Sequence, residues 1–207
     1  MMAATLLVLA SVTFIAMMSP GPDMLMVIKH GSAKERWPVV ACIAGICCGV
    51  TVHVAFSILG IAVVISTSAT LFTILKIAGS AYLIYIGVKS LLSTGGLSLD
   101  GTNQSAAKKH STPFRDGLFC NVLNPKVTMF ILAVFTKIIE PSTPVDDKII
   151  YGIFMVFEVF IVWNIFITLV RTKLVLGFMQ RFQVAIDRIT GVVLIGFGGA
   201  LALEENI

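Results

Sequence analysis

The stretch WPVVACIAGICCGVTVHVAFSILGIAVVISTSATLFTIL, residues 37–75, runs for 39 residues without an Asp, Glu, Lys or Arg. A helix needs about 20 apolar residues to cross a bilayer. The run therefore supplies most of two crossings, with Ser66-Thr67-Ser68 as the turn between them. Two other stretches share its character. Met1 to Pro22 carries no charge, and Ile149 to Val170 is broken only by Glu158. Across all 207 residues the hydrophobic fraction is 57% and the charged fraction 13%. With glycine the apolar share reaches about 65%, against about 45–50% apolar and 25% charged in soluble domains. A soluble fold of this size cannot bury that much apolar surface. The composition excludes a disordered chain, a nucleic-acid module and a cytosolic enzyme, and predicts an all-α integral membrane protein in the lipid bilayer.

Six spans are expected, at 4–28, 38–65, 70–92, 116–138, 148–170 and 186–203. The last is short and rich in glycine (Gly191, Gly196, Gly198, Gly199). Arg171–Phe182 alternates basic and apolar residues and reads as a segment lying in the interface. Basic residues set the orientation. Loops 1–2, 3–4 and 5–6 hold eleven Lys and Arg, the opposite side three, and Lys126 lies within a span. This bias puts those three loops in the cytoplasm and both termini outside. The N-terminus has no basic n-region and reads as a retained helix, not a signal peptide.

The polar, low-complexity stretch Ser93–Thr112 reads as a flexible linker. It divides the chain into a first three-helix half (1–92), a linker (93–115) and a second half (116–207). The halves have matching punctuation. Ser19-Pro20-Gly21-Pro22-Asp23 interrupts the first span, and Leu123-Asn124-Pro125-Lys126 interrupts the fourth. Gly79 and Gly87 in the third span match Gly191 and Gly199 in the sixth, each pair eight residues apart. Three spans per half would insert the second half upside down. Inverted repeats with broken helices at corresponding places point to a secondary-transporter site near the midplane.

Proline removes a backbone donor and clashes with the preceding turn. Backbone freed at membrane depth survives only where protein or a water cavity satisfies it. Asp23 and Lys126 stand beside the two breaks, and each charge costs about 2.5–3.5 kcal/mol at a helix centre. Three readings stay open. The two form an ion pair that ties the halves together; Asp23 caps the restarted helix; or the breaks enclose a polar cavity. In the last reading the acid faces an ammonium while lysine and helix amides face a carboxylate, which suits an amino acid. The candidate substrate-binding residues are Pro20, Gly21, Pro22, Asp23, Asn121, Asn124, Pro125 and Lys126. The asparagines serve equally well as substrate ligands or as partners for loose backbone. Glu158, in the middle of the fifth span, joins Asp23 as a candidate for proton coupling.

These motifs resemble a known family. Met18-Ser19-Pro20-Gly21-Pro22-Asp23 is similar to the N-terminal signature of the LysE/RhtB amino-acid exporters. Gly117-Leu118-Phe119-Cys120-Asn121-Val122-Leu123-Asn124-Pro125-Lys126 resembles their second motif, and Gly79–Gly87 their third-helix pattern. Length and motif order agree over essentially the whole chain. The resemblance implies export of amino acids or related small metabolites from the bacterial cytoplasm, coupled to protons, with no cofactor. The surroundings of Glu158 and Trp163 resemble the homoserine/threonine branch more than the lysine branch.

Other features admit plainer readings. His53 in the second span reads as an interhelical hydrogen-bond donor. The Gly45/Gly49 spacing permits close helix approach, within the chain or between copies in a homo-oligomer. Cys42, Cys47, Cys48 and Cys120 raise the alternative of a membrane thiol-redox shuttle, but without a CxxC they read as small packing groups. A metal-ion exporter is a further alternative, against which three scattered histidines and no Cys/His cluster argue. No nucleotide-binding loop and no basic, aromatic nucleic-acid surface is present.

Overall fold

Proline decides where the helices stop and restart. A computed structural model describes residues 2–19, 21–31, 35–67, 69–93, 112–137, 143–170 and 173–203. It contains α1 (Met2–Met18), α2 (Pro22–Gly31), α3 (Trp37–Thr67), α4 (Ala69–Leu91), α5 (Pro113–Val122), α6 (Pro125–Lys137), α7 (Val145–Val170) and α8 (Lys173–Leu203). Pro22, Pro113 and Pro125 each open a helix, the position where a missing N–H and a fixed φ do no harm. The α1–α2 pair bends by 70° and the α5–α6 pair by 59°. Both sequence breaks are thus real interruptions of the helix. Pro20 and the linker residues 94–111 lie outside the described residues.

Among the described residues, Trp37–Leu59, Val145–Val170 and Arg181–Ala200 are long and apolar enough to cross a membrane, and each bent pair qualifies as one further span. The apolar part of α4, Ile77–Leu91, is shorter. The chain is a multi-pass membrane protein. From Lys173 onward the segment expected in the interface is continuous with the last span, as one helix Lys173–Leu203. No proline interrupts it, and Gly177, the one glycine before Phe182, costs only about 1 kcal/mol in a helix.

Packing runs between distant parts of the chain. α4 lies along α8, and α3 along α5. Glycines set both contacts. A Cβ on Gly87 would sit 2.8 Å from the Gly191 carbonyl, and one on Gly191 would sit 2.6 Å from the Gly87 carbonyl. Below them the Ser80 hydroxyl donates to the Gly198 carbonyl. Along α3, Gly45 faces the Phe114 carbonyl, while Gly117 of α5 faces that of Cys42. The Gly45/Gly49 face is therefore occupied inside the chain. At the far ends of the broken pairs, His30 Nε2 of α2 meets Asp116 Oδ2 of α5 at 3.2 Å.

Gly87→Ala and Gly191→Ala each force α4 and α8 apart, an overpacking cost of about 1–3 kcal/mol. Each variant is expected to melt several degrees lower in detergent. Gly196→Ala, whose Cβ meets nothing within 4 Å, is expected to melt with the parent protein. Equal melting of all three would show that the glycine contact does not set the packing.

Candidate functional site

The two breaks meet at one cavity. Its volume is about 70 Å³, well above the minimum of about 10–15 Å³ that a single water needs. Gly21, Asp23, Asn121, Asn124 and Lys126 all line it. Five of the eight candidate binding residues are thereby brought together. Pro22 and Pro125 act next to it by starting α2 and α6.

The local chemistry follows from the broken backbone. Asn124 is the N-cap of α6. Its carbonyl accepts the Thr128 N–H at 3.1 Å, and its side-chain Oδ1 accepts the Lys126 N–H at 3.1 Å. An asparagine there satisfies one of the donors that a helix start leaves orphaned. With Oδ1 so occupied, Nδ2 turns to Asp23 Oδ1 at 3.4 Å. Asn121 Nδ2 donates to Asp23 Oδ2 at 2.7 Å, and the Cys120 thiol lies 3.6 Å from Oδ1. One segment of the second half thus grips the carboxylate of the first. Of the two jobs left open, Asn124 does the backbone one through the Lys126 N–H, and both asparagines hold Asp23 besides.

Lys126 reaches the opposite way. Its Nζ donates to the Ser19 carbonyl at 2.9 Å, one of the carbonyls freed where α1 ends. A cation there also suits the negative end of the α1 dipole. The ion-pair reading is therefore corrected. Among the described residues no direct ion pair joins Asp23 to Lys126. The freed carbonyls and the asparagine amides outcompete it, because each places its partner directly at the break. Asp23 does stand in the first turn of α2, so its dipole-stabilising position and its place on the cavity wall coexist.

Capacity remains on both charges. An ionised carboxylate has about four acceptor sites and an ammonium three donors. The contacts above use three of the former and one of the latter.

The remaining candidates separate. His53 Nε2 lies 3.2 Å from the Asn121 carbonyl, an interhelical hydrogen bond as expected. Glu158 is not among the residues lining the cavity. It precedes Val159, which does line it, and its own Oε2 is buried without a hydrogen-bond partner. All four cysteines are free thiols. No group of three or more His, Cys, Asp or Glu side chains gathers at a metal-binding distance among the described residues.

Sequence reasoning missed three contributors. Thr13 and Ser19 of the first broken pair line the cavity; Ser19 acts through its carbonyl, which no side-chain pattern reveals. Trp163 lines it too, packed edge-on against Phe166 at 5.3 Å between ring centres. The sequence singled out Trp163 only as a mark of resemblance.

A family model for the LysE type translocators matches residues 14–205. The chain belongs to this family. It is 30% identical over 204 residues to the Bacillus subtilis membrane protein YrhP, covering 92% of this chain and 95% of that one. It is 28% identical over 205 residues to the threonine efflux protein of Escherichia coli K12, covering 96% and 98%. Over 127 residues, 61% of each chain, it is 31% identical to the homoserine/homoserine lactone efflux protein of Salmonella typhimurium. No solved structure matches it.

For a translocator, the grip on Asp23 is open to test from a distance. A Cβ on Gly49 would lie 2.5 Å from Asn121 Oδ1 and 2.8 Å from its Cβ. Gly49→Ala must displace Asn121, and with it the hydrogen bond to Asp23. Transport is expected to fall about tenfold, equivalent to about 1.4 kcal/mol, at unchanged membrane levels. Full transport by Gly49→Ala would show that the Asn121–Asp23 contact is dispensable.

Proposed function

We propose that this translocator exports small neutral amino acids of the homoserine and threonine type from the cytoplasm, by proton antiport. The observation that carries the proposal is the cavity itself. An acid and an ammonium face the same small space from two different helix breaks, and each finds its hydrogen bonds elsewhere than in the other. A zwitterion complements that arrangement, with its ammonium toward Asp23 and its carboxylate toward Lys126 and the start of α6. Among the described residues no third charge lines the cavity, which favours a neutral side chain. The names of the Escherichia coli and Salmonella relatives, threonine efflux and homoserine/homoserine lactone efflux, support the same class.

In this reading the two inverted halves rock about the fixed site to alternate access. Loops 1–2, 3–4 and 5–6 face the cytoplasm of a bacterial cell and both termini face out. Asp23 and Glu158 are the proton-exchanging groups. Glu158 has an unpartnered carboxyl oxygen sealed from solvent, in a helix where a carboxyl has no use as packing. One proton descending about 100 mV releases about 2.3 kcal/mol, enough to sustain roughly a 40-fold substrate gradient. That is a sensible size for relief of metabolite excess.

The test is efflux from cells that lack their own exporters, preloaded with a mixture of amino acids. Selective loss of one or a few neutral amino acids, stopped by a protonophore, is expected. Asp23→Asn and Lys126→Ala should each reduce export more than tenfold while the protein still inserts. Glu158→Gln should export down a gradient but not against one. Normal export by any of these variants at normal protein levels would remove that residue from the mechanism. Absence of selective efflux by the inserted parent protein would overturn the reading.

A further inference from the structure

Hydroxyls within membrane helices usually turn back onto their own helix, bonding the carbonyl four residues earlier. This protein follows the habit repeatedly. Ser11 donates to Leu7, Thr51 to Cys47, Thr128 to Asn124, Thr168 to Asn164 and Thr190 to Ile186, at 2.7 to 3.1 Å. Thr13 departs from it. Its Oγ1 is sealed from solvent and has no partner; the residue is 2% exposed and lines the cavity. A buried polar atom without a partner costs about 1–3 kcal/mol. α1 offers the Leu9 carbonyl four residues back, and the hydroxyl does not use it.

The same cavity has apolar lining as well: Ala16 and Met17 of α1, and Met155 and Val159 of α7. The two charges of the site stand at the helix breaks, beyond Ser19 on one side and Asn124 on the other. Thr13 lies six residues before Ser19 on the same chain, about 9 Å along a helix. Thr13 is thus set back along α1 from the break at which the charges stand.

We propose that the Thr13 hydroxyl determines specificity, by hydrogen-bonding a hydroxyl on the side chain of a short neutral amino acid. The inference rests on the amino-acid reading above and deepens it. A hydroxyl suits this role because it both donates and accepts, so it pairs with another hydroxyl in either sense. The Met and Val residues that line the same cavity disfavour a charged side chain, which would lose water without gaining a partner. Binding sites that hydrogen-bond a substrate group reject analogues lacking it far better than apolar pockets reject an extra methylene.

The experiment compares efflux of L-threonine and L-homoserine with that of 2-aminobutyrate, which has the same carbon skeleton without the hydroxyl. The parent protein, Thr13→Val and Thr13→Ser are compared at matched membrane levels. The parent is expected to prefer the hydroxylated substrates about tenfold or more. Thr13→Val, equal in shape but without the hydroxyl, should bring that ratio close to one, and Thr13→Ser should restore it. A preference that persists in Thr13→Val overturns the role of Thr13. A parent protein that exports all three equally also overturns it, and leaves amino-acid export standing. A parent that exports none of them or any other amino acid overturns both readings.

Discussion

Everything at the centre of this protein follows from one constraint: in hydrocarbon, a backbone group released from a helix must find another partner. Two spans are broken here, and the partners come from across the break or from the opposite half. Ser19 gives its carbonyl to Lys126, and Asn121 gives its own to His53 and to the Asn124 amide. Asn124 supplies the acceptor for the Lys126 N–H. The two charges that hydropathy penalises by about 2.5–3.5 kcal/mol each are the groups that satisfy this network or are held by it. Hydrogen bonds to a charged group are worth about 1.5–3 kcal/mol each, so the asparagine pair at Asp23 offsets much of the cost of keeping it there.

Close approach is the second requirement, and glycine provides it. The α5 backbone reaches α3 only because Gly45, Gly49 and Gly117 leave no side chain in the way. The same contact that packs these helices sets the position of Asn121, and Asn121 sets that of Asp23. Packing and site geometry are one structure here. A site carried on mobile loops would separate the two. The α4–α8 contact at Gly87 and Gly191 plays the corresponding role on the other side of the fold, farther from the cavity.

Much of this organisation is legible along the chain. Hydropathy is a local property, and so is the effect of proline. The apolar stretches accordingly become helices, three of them long enough to cross a membrane among the described residues and two bent pairs that each qualify as one more, while the apolar part of α4 is shorter. Both breaks fall where Pro22 and Pro125 put them, and Asp23, Asn121, Asn124 and Lys126, which line one cavity, stood out in the sequence because a charge or amide beside a helix break needs a reason. The segment expected in the interface joins α8 without a break from Lys173 onward, for a related cause. Alternating charge signals exposure to water, but it does not stop a helix that no proline interrupts.

What the sequence by itself determined is therefore the membrane class, the breaks and the polar residues at them. Only the tertiary structure decided which groups meet. It withheld the ion pair from Asp23 and Lys126, set Glu158 apart from the cavity, placed Thr13 in the cavity lining, and gave the Ser19 carbonyl to Lys126. The reason is that these outcomes depend on how each helix is rotated and how deeply two helices cross. In a helix apolar on every side, such as α1, no periodicity marks the inward face, so a single threonine stands out only once its neighbours in space are known.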